Sequence, residues 1–281
     1  MFMDIIITGH LGLIGSFLKK RLEEEGHKIV FAIDKKEGNN ILELTNKKID
    51  FNCDLLIHMA AHCKINESIS NPGKTFENNV IGTHSVFEFC RKNKIPKIIY
   101  FSSSRVLNKE KNPYTTSKLY GEELCKSYKN SYGIDYLIIR PSTVYGPIWD
   151  NTKRLIHIFI TRALAGEDLE IYGKPETKTL DFTYIDDFVD GVIIAMKNKW
   201  CEDYNISGAE EFKVYDLAKM IIELTDSKSK IIIKLPEAEQ PQEVSVDISK
   251  LEKLGYKPKI KLVDGLMKTI NFYKSFSSES N

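Results

Sequence analysis

Short runs of consecutive apolar residues alternate with stretches of helical periodicity through the first half of the chain. Asp4 to Thr8 is a β-branched run, and apolar runs return at Lys28 to Ile33, Leu55 to Met59, Ile98 to Phe101 and Tyr136 to Ile139. They are continuous rather than alternating, which is the pattern of strands buried on both faces. Between them, amphipathic helices are predicted from about Ile14 to Glu25, over 74 to 93 and over 114 to 131. The first should stop at Gly26 in a left-handed cap. Strands divided by helices in this way predict an α/β protein with a doubly wound parallel sheet.

Beyond Arg140 the rhythm changes. A helix near 154 to 165, short strands near 169 to 172 and 203 to 206, and helices near 214 to 225 and 263 to 274 are joined by turn-rich pieces such as Gly173-Lys174-Pro175. This predicts a smaller, mixed α/β substrate lobe over the carboxyl ends of the parallel strands. Residues 1–150 are expected to form the first domain, with 179–200 returning to it as a strand and helix, and 151–178 with 201–281 to form the second lobe. No fixed-period repeat or low-complexity linker separates them, so a tight junction is expected. The polar, Ser-rich tail from Ser275 to Asn281 is expected to fray.

Composition narrows the class. The 281 residues are 42% apolar and 28% charged, an ordinary globular balance. Forty basic against 39 acidic side chains leave a net charge of +1, which provides no overall field for nucleic acid or an anionic membrane. The opening segment contains Asp4 and has no basic n-region, so it reads as a strand rather than a signal peptide. No stretch approaches the ~20 apolar residues of a membrane span. Cys53, Cys63, Cys90, Cys125 and Cys201 are odd in number, scattered and without a CxxC, which predicts free thiols and a cytoplasmic location.

The chemistry enters at the turns. The first strand ends in Gly9-His10-Leu11-Gly12-Leu13-Ile14-Gly15 and the second at Asp34. Strand, glycine turn, helix, strand, acid is the order of a dinucleotide-binding βαβ unit, so the fold should be Rossmann-type. Gly9, Gly12 and Gly15 let backbone N–H groups approach a pyrophosphate at a helix N-terminus, although such turns also occur for packing alone. Asp34 can accept both ribose hydroxyls of an adenosine and would repel a 2′-phosphate, which predicts NAD rather than NADP; the bland alternative is a solvated strand end.

A second group lies in Tyr114-Thr115-Thr116-Ser117-Lys118, just after Pro113, where a helix can begin. Tyr114 and Lys118 are four apart and share one helical face. A tyrosine hydroxyl titrates near ~10, so acting as a base near neutrality requires its phenolate to be stabilised by roughly three units, about 4 kcal/mol. An adjacent ammonium can supply much of that and an oxidised nicotinamide more. Taken alone, the two residues could also be an ordinary surface pair.

With the glycine loop, a serine-rich strand end and Tyr-x-x-x-Lys together, the sequence resembles the extended short-chain dehydrogenase/reductase family. More narrowly, it is similar to the NAD-dependent epimerase/dehydratase branch acting on nucleotide sugars. The resemblance covers nearly the whole chain, through Thr8 to Gly15, His58 to Ala61, Asn79 to Thr83, Phe101 to Ser104, Tyr114 to Lys118, Arg140 to Pro147 and Asp181 to Asp187. It implies that Tyr114 is the catalytic acid/base, that Lys118 binds the nicotinamide ribose and lowers the tyrosine pKa, and that Ser103, three residues before Val106, hydrogen-bonds the reacting oxygen, with Ser104 the near alternative. Cofactor contacts are implied for Gly9, Leu11, Gly12, Leu13, Ile14, Gly15, Asp34, Ala60, Ala61, Asn79, Tyr114, Lys118 and Pro141, and substrate contacts for Ser103, Ser104, Thr143 and Lys178. The implied reaction removes the proton of a sugar hydroxyl, usually on C4, while hydride leaves the same carbon for the nicotinamide.

Several positions depart from the family pattern. Dehydratases of the branch carry Asp-Glu directly after the catalytic hydroxyl, where Ser104 and Arg105 stand here, so dehydration is disfavoured. Val106-Leu107-Asn108 replaces the usual Val-Tyr-Gly, and the loop from Ser103 to Tyr114 is shorter than usual. Leu180 occupies the place of an arginine that commonly pairs with the diphosphate, Thr143 that of an asparagine, and no arginine occurs over 236–246. Lys174, Lys178 or Arg154 could compensate, or could form a solvated face. His58, His62 and Cys63 have a spacing that could suggest a metal site, but they lie at a strand end and cofactor-side loop, and no metal is expected.

The leading expectation is therefore an NAD-dependent oxidoreductase acting on a nucleotide-diphosphate sugar, by epimerisation or oxidation at C4. A keto-sugar nucleotide reductase would use the same residues. A catalytically silent dinucleotide-binding sensor is the reading from another class, prompted by the missing arginines. The resemblance also implies a homodimer through the 74–93 and 114–131 helices.

Overall fold

The computed structural model describes residues 2–109, 111–175, 177–208, 210–235 and 246–279. In chain order the elements are β1 (Asp4–Thr8), α1 (Leu13–Glu24), β2 (Lys28–Ile33), β3 (Leu55–His58), α2 (Ile65–Ser70), α3 (Pro72–Thr75), a π turn (Phe76–Ile81), α4 (Gly82–Lys92), β4 (Lys97–Phe101), α5 (Pro113–Tyr132) and β5 (Asp135–Pro141). There follow β6 (Thr143–Tyr145), α6 (Leu155–Ala165), β7 (Leu169–Tyr172), β8 (Thr179–Tyr184), α7 (Ile185–Met196), β9 (Glu202–Ile206), β10 (Glu211–Lys213), α8 (Val214–Thr225), β11 (Ile231–Lys234), α9 (Ser249–Glu252) and α10 (Leu262–Glu279). The chain divides into two compact units, one of Met1–Pro141, Val189–Ile206 and Ser249–Tyr256, the other of Ser142–Phe188, Ser207–Ile248 and Lys257–Asn281.

The first unit is built on a six-stranded sheet of order β2-β1-β3-β4-β5-β9, parallel throughout. Ile5, Ile6, Ile7, Leu55, Leu56 and Ile57 are fully buried, which explains the unbroken apolar runs: helices cover both faces and leave no strand side for polar residues. One layer gathers Val86, Phe87 and Phe89 of α4 with Ile98, Tyr100 and Cys125. Strand order reverses between β1 and β3, and ligands of such sheets bind at the carboxyl ends beside that point. The Gly9 loop, Asp34 and the segment after His58 all leave the sheet there.

Three expectations need correction. The helix expected over 74–93 runs unbroken from Pro72 to Lys92 but is not uniformly α: α3 and α4 are joined through the π turn, an insertion that apolar periodicity does not reveal because the phase shifts by a single residue. Glu202–Ile206, assigned from sequence to the second lobe, is the edge strand of the first sheet, whereas Thr179–Tyr184, expected to return to the first domain, pairs with β6 and β10. Short strands of mixed polarity carry no mark of the sheet they join. Finally, α10 continues to Glu279 instead of fraying from Ser275, while Ser280 and Asn281 lie outside the described residues.

The second unit holds a three-stranded sheet, β10-β8-β6, and a parallel pair, β11-β7. Helices α6, α8 and α10 pack on one another. Trp149 stacks on Tyr273 and Phe276. The Asp181 to Asp187 segment is fixed by its carboxylates: Asp181 accepts from Ser142, Ser207 and the Gly208 amide, and Asp187 from the amides of Lys259 (3.0 Å) and Ile260 (2.9 Å).

Candidate active site

The loop after β1 is shaped by backbone. Gly9 has φ +77°, and a Cβ there would lie 2.7 Å from the Ala60 nitrogen; one on Gly15 would lie 2.2 Å from the Gly9 carbonyl oxygen. These two glycines are demanded by the protein itself. Gly12 differs, since its Cβ would meet only the Gly9 carbonyl, at 3.3 Å. It is the N-cap of α1, where no side chain caps the helix and the first turn carries no acid. The helix therefore opens on a partial positive charge with no side-chain cap and no acid in its first turn, the arrangement a pyrophosphate needs.

Asp34 is buried rather than solvated. One carboxylate oxygen accepts from the Lys36 amide (3.0 Å) and the other from Leu11 (3.1 Å), which ties the end of β2 to the glycine loop. Each oxygen keeps lone-pair capacity for a further donor such as a ribose hydroxyl. Lys36 reaches the Leu11 carbonyl at 3.1 Å. A cavity of about 320 Å³ opens beside this strand, lined in part by Phe31, Ile33, Asn40, Glu43 and Lys47.

The segment after β3 is held by a side-chain lattice. His58 meets the hydroxyls of Thr8 (2.8 Å) and Thr83 (3.1 Å), and burial drives its pKa down to about 3, so the imidazole is neutral. Thr8 Oγ1 also accepts from the amides of Met59 and Ala60, both at 3.2 Å, fixing the backbone of Ala60 and its neighbour Ala61. His62 contacts Thr75 (2.9 Å) and Glu67 (3.0 Å). With both rings engaged in this way, His58 and His62 have structural partners, and Cys63 is exposed. Asn79 turns inward from the π turn: it accepts from the His62 amide (2.7 Å) and donates to the His62 carbonyl and to Ser117 Oγ, both at 3.0 Å. Ser117 in turn donates to the Tyr114 carbonyl at 2.7 Å. One carboxamide thus couples the segment after β3 to the first turn of α5.

That turn is preorganised. Pro113 is its first residue, and Asn112 and Thr115 form a reciprocal capping box. Tyr114 and Lys118 are 7% and 4% exposed, too buried for an ordinary surface pair. Lys118 donates to the Phe101 carbonyl (2.8 Å), at the end of β4 and two residues before Ser103. Burial lowers the Lys118 pKa. Ser103, also buried, caps the short 3-10 turn Ser104–Leu107, its Oγ accepting from the Arg105 amide at 3.2 Å. Ser103, Ser104, Tyr114 and Lys118 are therefore held around one strand end.

Sequence reading missed the support beneath this group. Glu122, one turn beyond Lys118, accepts from Ser102 Oγ (2.5 Å) and takes a two-point contact from Arg140 (2.8 and 2.6 Å), which also meets Asp203 at 2.8 Å. Arg140 precedes Pro141 at the end of β5, so β4, β5, β9 and α5 are joined through Arg140 and its two carboxylates, the one from Glu122 buried. The partners are distant in sequence, and no local motif signals them.

In the second unit, Thr143 pairs with Phe182 in the sheet, and Leu180 is packed as a core residue opposite Phe212. Lys178 is buried and donates to the Tyr172 carbonyl (2.7 Å), Arg154 donates to the Val144 carbonyl (3.2 Å), and Lys174 is exposed. Positions 236–245, the bulk of the stretch where a further arginine is often found, lie outside the described residues.

Comparison with known proteins adds to the geometry. Residues 5–207 match the NAD dependent epimerase/dehydratase family. The chain is 32% identical to a putative UDP-glucose 4-epimerase of Methanocaldococcus jannaschii, over 96% of this chain and 98% of that one. The structure of UDP-glucose 4-epimerase from Thermotoga maritima with UDP-glucose shares the fold at a TM-score of 0.90 and 24% identity, covering 98% of this chain and 100% of that one. UDP-glucuronic acid 4-epimerase from Bacillus cereus, in complex with UDP-glucuronic acid and NAD, matches at a TM-score of 0.86 and 27% identity, over 98% of this chain and 100% of that one.

Proposed function

Because the chain belongs to the NAD-dependent epimerase/dehydratase family, we propose that it epimerises a nucleotide-linked sugar at C4, with Tyr114 moving the hydroxyl proton. It is an NAD-dependent enzyme of the extended short-chain dehydrogenase/reductase type, acting on nucleotide sugars. The uncapped start of α1, the open side of Gly12 and the spare acceptors of Asp34 fit a dinucleotide carrying no 2′-phosphate. Bound there, NAD supplies a hydride acceptor that can return the hydride to the same carbon.

The chain's own residues supply the rest. Tyr114 Oη takes the proton from the sugar hydroxyl and gives it back to the carbonyl oxygen, with Ser103 Oγ as a hydrogen-bonding partner of that oxygen. Lys118 provides the positive charge that makes the phenolate less costly. Asn79, through Ser117, holds the Tyr114 turn in place, so the reacting groups meet without a search. Epimerisation is favoured over elimination because Ser104 and Arg105 leave the strand end without a carboxylate to accept a second proton. Thr143 and Lys178 are the proposed substrate contacts of the second unit. A cytoplasmic homodimer through 74–93 and 114–131 completes the reading; exposed Phe76 and Ile81 on the first segment support it.

The observation carrying the proposal is the buried Tyr114–Lys118 turn fastened to the strand end that bears Ser103. Its test is mass spectrometry of the nucleotide retained on purification, followed by a screen of UDP-, GDP- and dTDP-sugars. Retained NAD and interconversion of C4 epimers without net NADH change are expected. Net NADH consumption with a keto-sugar would make the protein a reductase, and absence of turnover with every sugar would leave a sensor.

A further inference from the structure

Arg105 is a half-buried cation, one nitrogen of which is shielded from solvent, that the chemistry above does not use. It sits in the 3-10 turn capped by Ser103, and that turn packs against α5, the helix of Tyr114. Its Nη1 is shielded from solvent and has no hydrogen-bond partner among the described residues. Other arginines of the first unit are matched: Arg140 by Glu122 and Asp203, Arg91 by Glu88, Arg21 by Asp190. No such carboxylate serves Arg105 among the described residues. Burial lowers its pKa, and the Tyr114 hydroxyl works in the opposite direction.

A guanidinium nitrogen withdrawn from water without a partner is costly, and its place is explained when an anion arrives with the substrate. We propose that Arg105 is the receptor for a carboxylate on the sugar, so that the substrate is a nucleotide-linked uronic acid. This rests on the C4 reading above. In a hexuronic acid the carboxylate is C6, attached to C5, the carbon next to the reacting centre, whereas the diphosphate on C1 lies across the ring. A cation beside Ser103 and Tyr114 is placed for the near anion rather than the far one. Among the described residues the Tyr114 phenolate is the other negative group at hand, but it exists for only part of each turnover. Its single oxygen also makes less use of the planar, two-point fork that arginine offers a carboxylate.

The test compares kcat/KM of the full-length protein and of R105M and R105K on the glucose and glucuronic acid forms of UDP, GDP and dTDP. The wild type should prefer the uronic acid by ~10²-fold or more, in line with a site built around a polar group discriminating against a substrate that lacks it. R105M should collapse that ratio by a similar factor, and R105K should restore part of it. An equal loss on both sugars would overturn the assignment, and a simultaneous rise in the acid limb of the pH–rate profile would give Arg105 to the phenolate instead. Turnover of the neutral sugar but not the uronic acid by the wild type would sink this inference while leaving the C4 reading intact; turnover of neither would remove both.

Discussion

The two ends of the first sheet's carboxyl edge solve different problems by different means. Beside β1 and β2 the site is made of backbone: glycine at a positive φ, uncapped amides and one aspartate that fastens the loop. Beside β4 it is made of side chains, Ser103, Tyr114, Lys118 and Arg105, seated on the Glu122–Arg140 pair and the Asn79 lattice. The first end receives a cofactor that is the same in every turnover, so a fixed cradle of peptide groups suffices. On the proposed reading the second chooses one sugar and moves its proton, so small changes of side chain there should change the chemistry.

That contrast can be broken most forcefully at Tyr114. Tyr114→Phe should lower kcat by ~10³-fold or more, while NAD retained on purification stays at the wild-type level. A parallel loss of NAD would show that the two ends are not separable. The next largest effect is expected at the support. Arg140→Met leaves Glu122 buried without its cation and should cost about 3 kcal/mol in urea unfolding, with the effect on NAD affinity no greater than that loss of stability requires.

Gly12→Ala sharpens the cofactor side. The added methyl meets only the Gly9 carbonyl, at 3.3 Å, which must give slightly, so thermal stability should fall a little; the methyl intrudes where phosphates approach, and NAD affinity measured by calorimetry should fall ~10- to 100-fold, about 1.4 to 2.7 kcal/mol. Smaller still is an acid effect at His58. Its folded-state pKa, about 3, lies below the unfolded value of 6.5, so the unfolded chain binds more protons in that window. The corresponding stability is complete above 6.5 and is lost as pH falls towards 3. The first unit of pH below about 6 should remove about 1 kcal/mol, a slope absent from His58→Asn in pH-dependent melting.

The strand, glycine loop, helix and strand at the proposed cofactor end were readable before any coordinates, because glycine spacing and the βαβ order are local signals. Lys28–Ile33 and Val214–Thr225 fall where apolar periodicity puts them. The turn proposed as catalytic was placed for the same reason, as Pro113, Tyr114 and Lys118 lie within one stretch at the start of α5. What stayed hidden is non-local. Glu122, Arg140 and Asp203 meet from three separate segments, and the membership of β8 and β9 in different sheets depends on pairing rather than on residue type. Arg105 was visible only as a departure from a pattern; its lack of a partner is a property of the packed surroundings.

The extra residue wound into Phe76–Ile81 has its own consequence. Each residue of an α-helix advances the azimuth by about 100°, so the insertion rotates everything that precedes it relative to α4. Deleting one residue there would restore ordinary pitch at the expense of alignment: either the Asn79 carboxamide swings out of the lattice, or the outward apolar side chains Phe76 and Ile81 face a new direction. A single irregular coil thereby links the inner clamp on the Tyr114 turn to the outer face the enzyme presents to its surroundings.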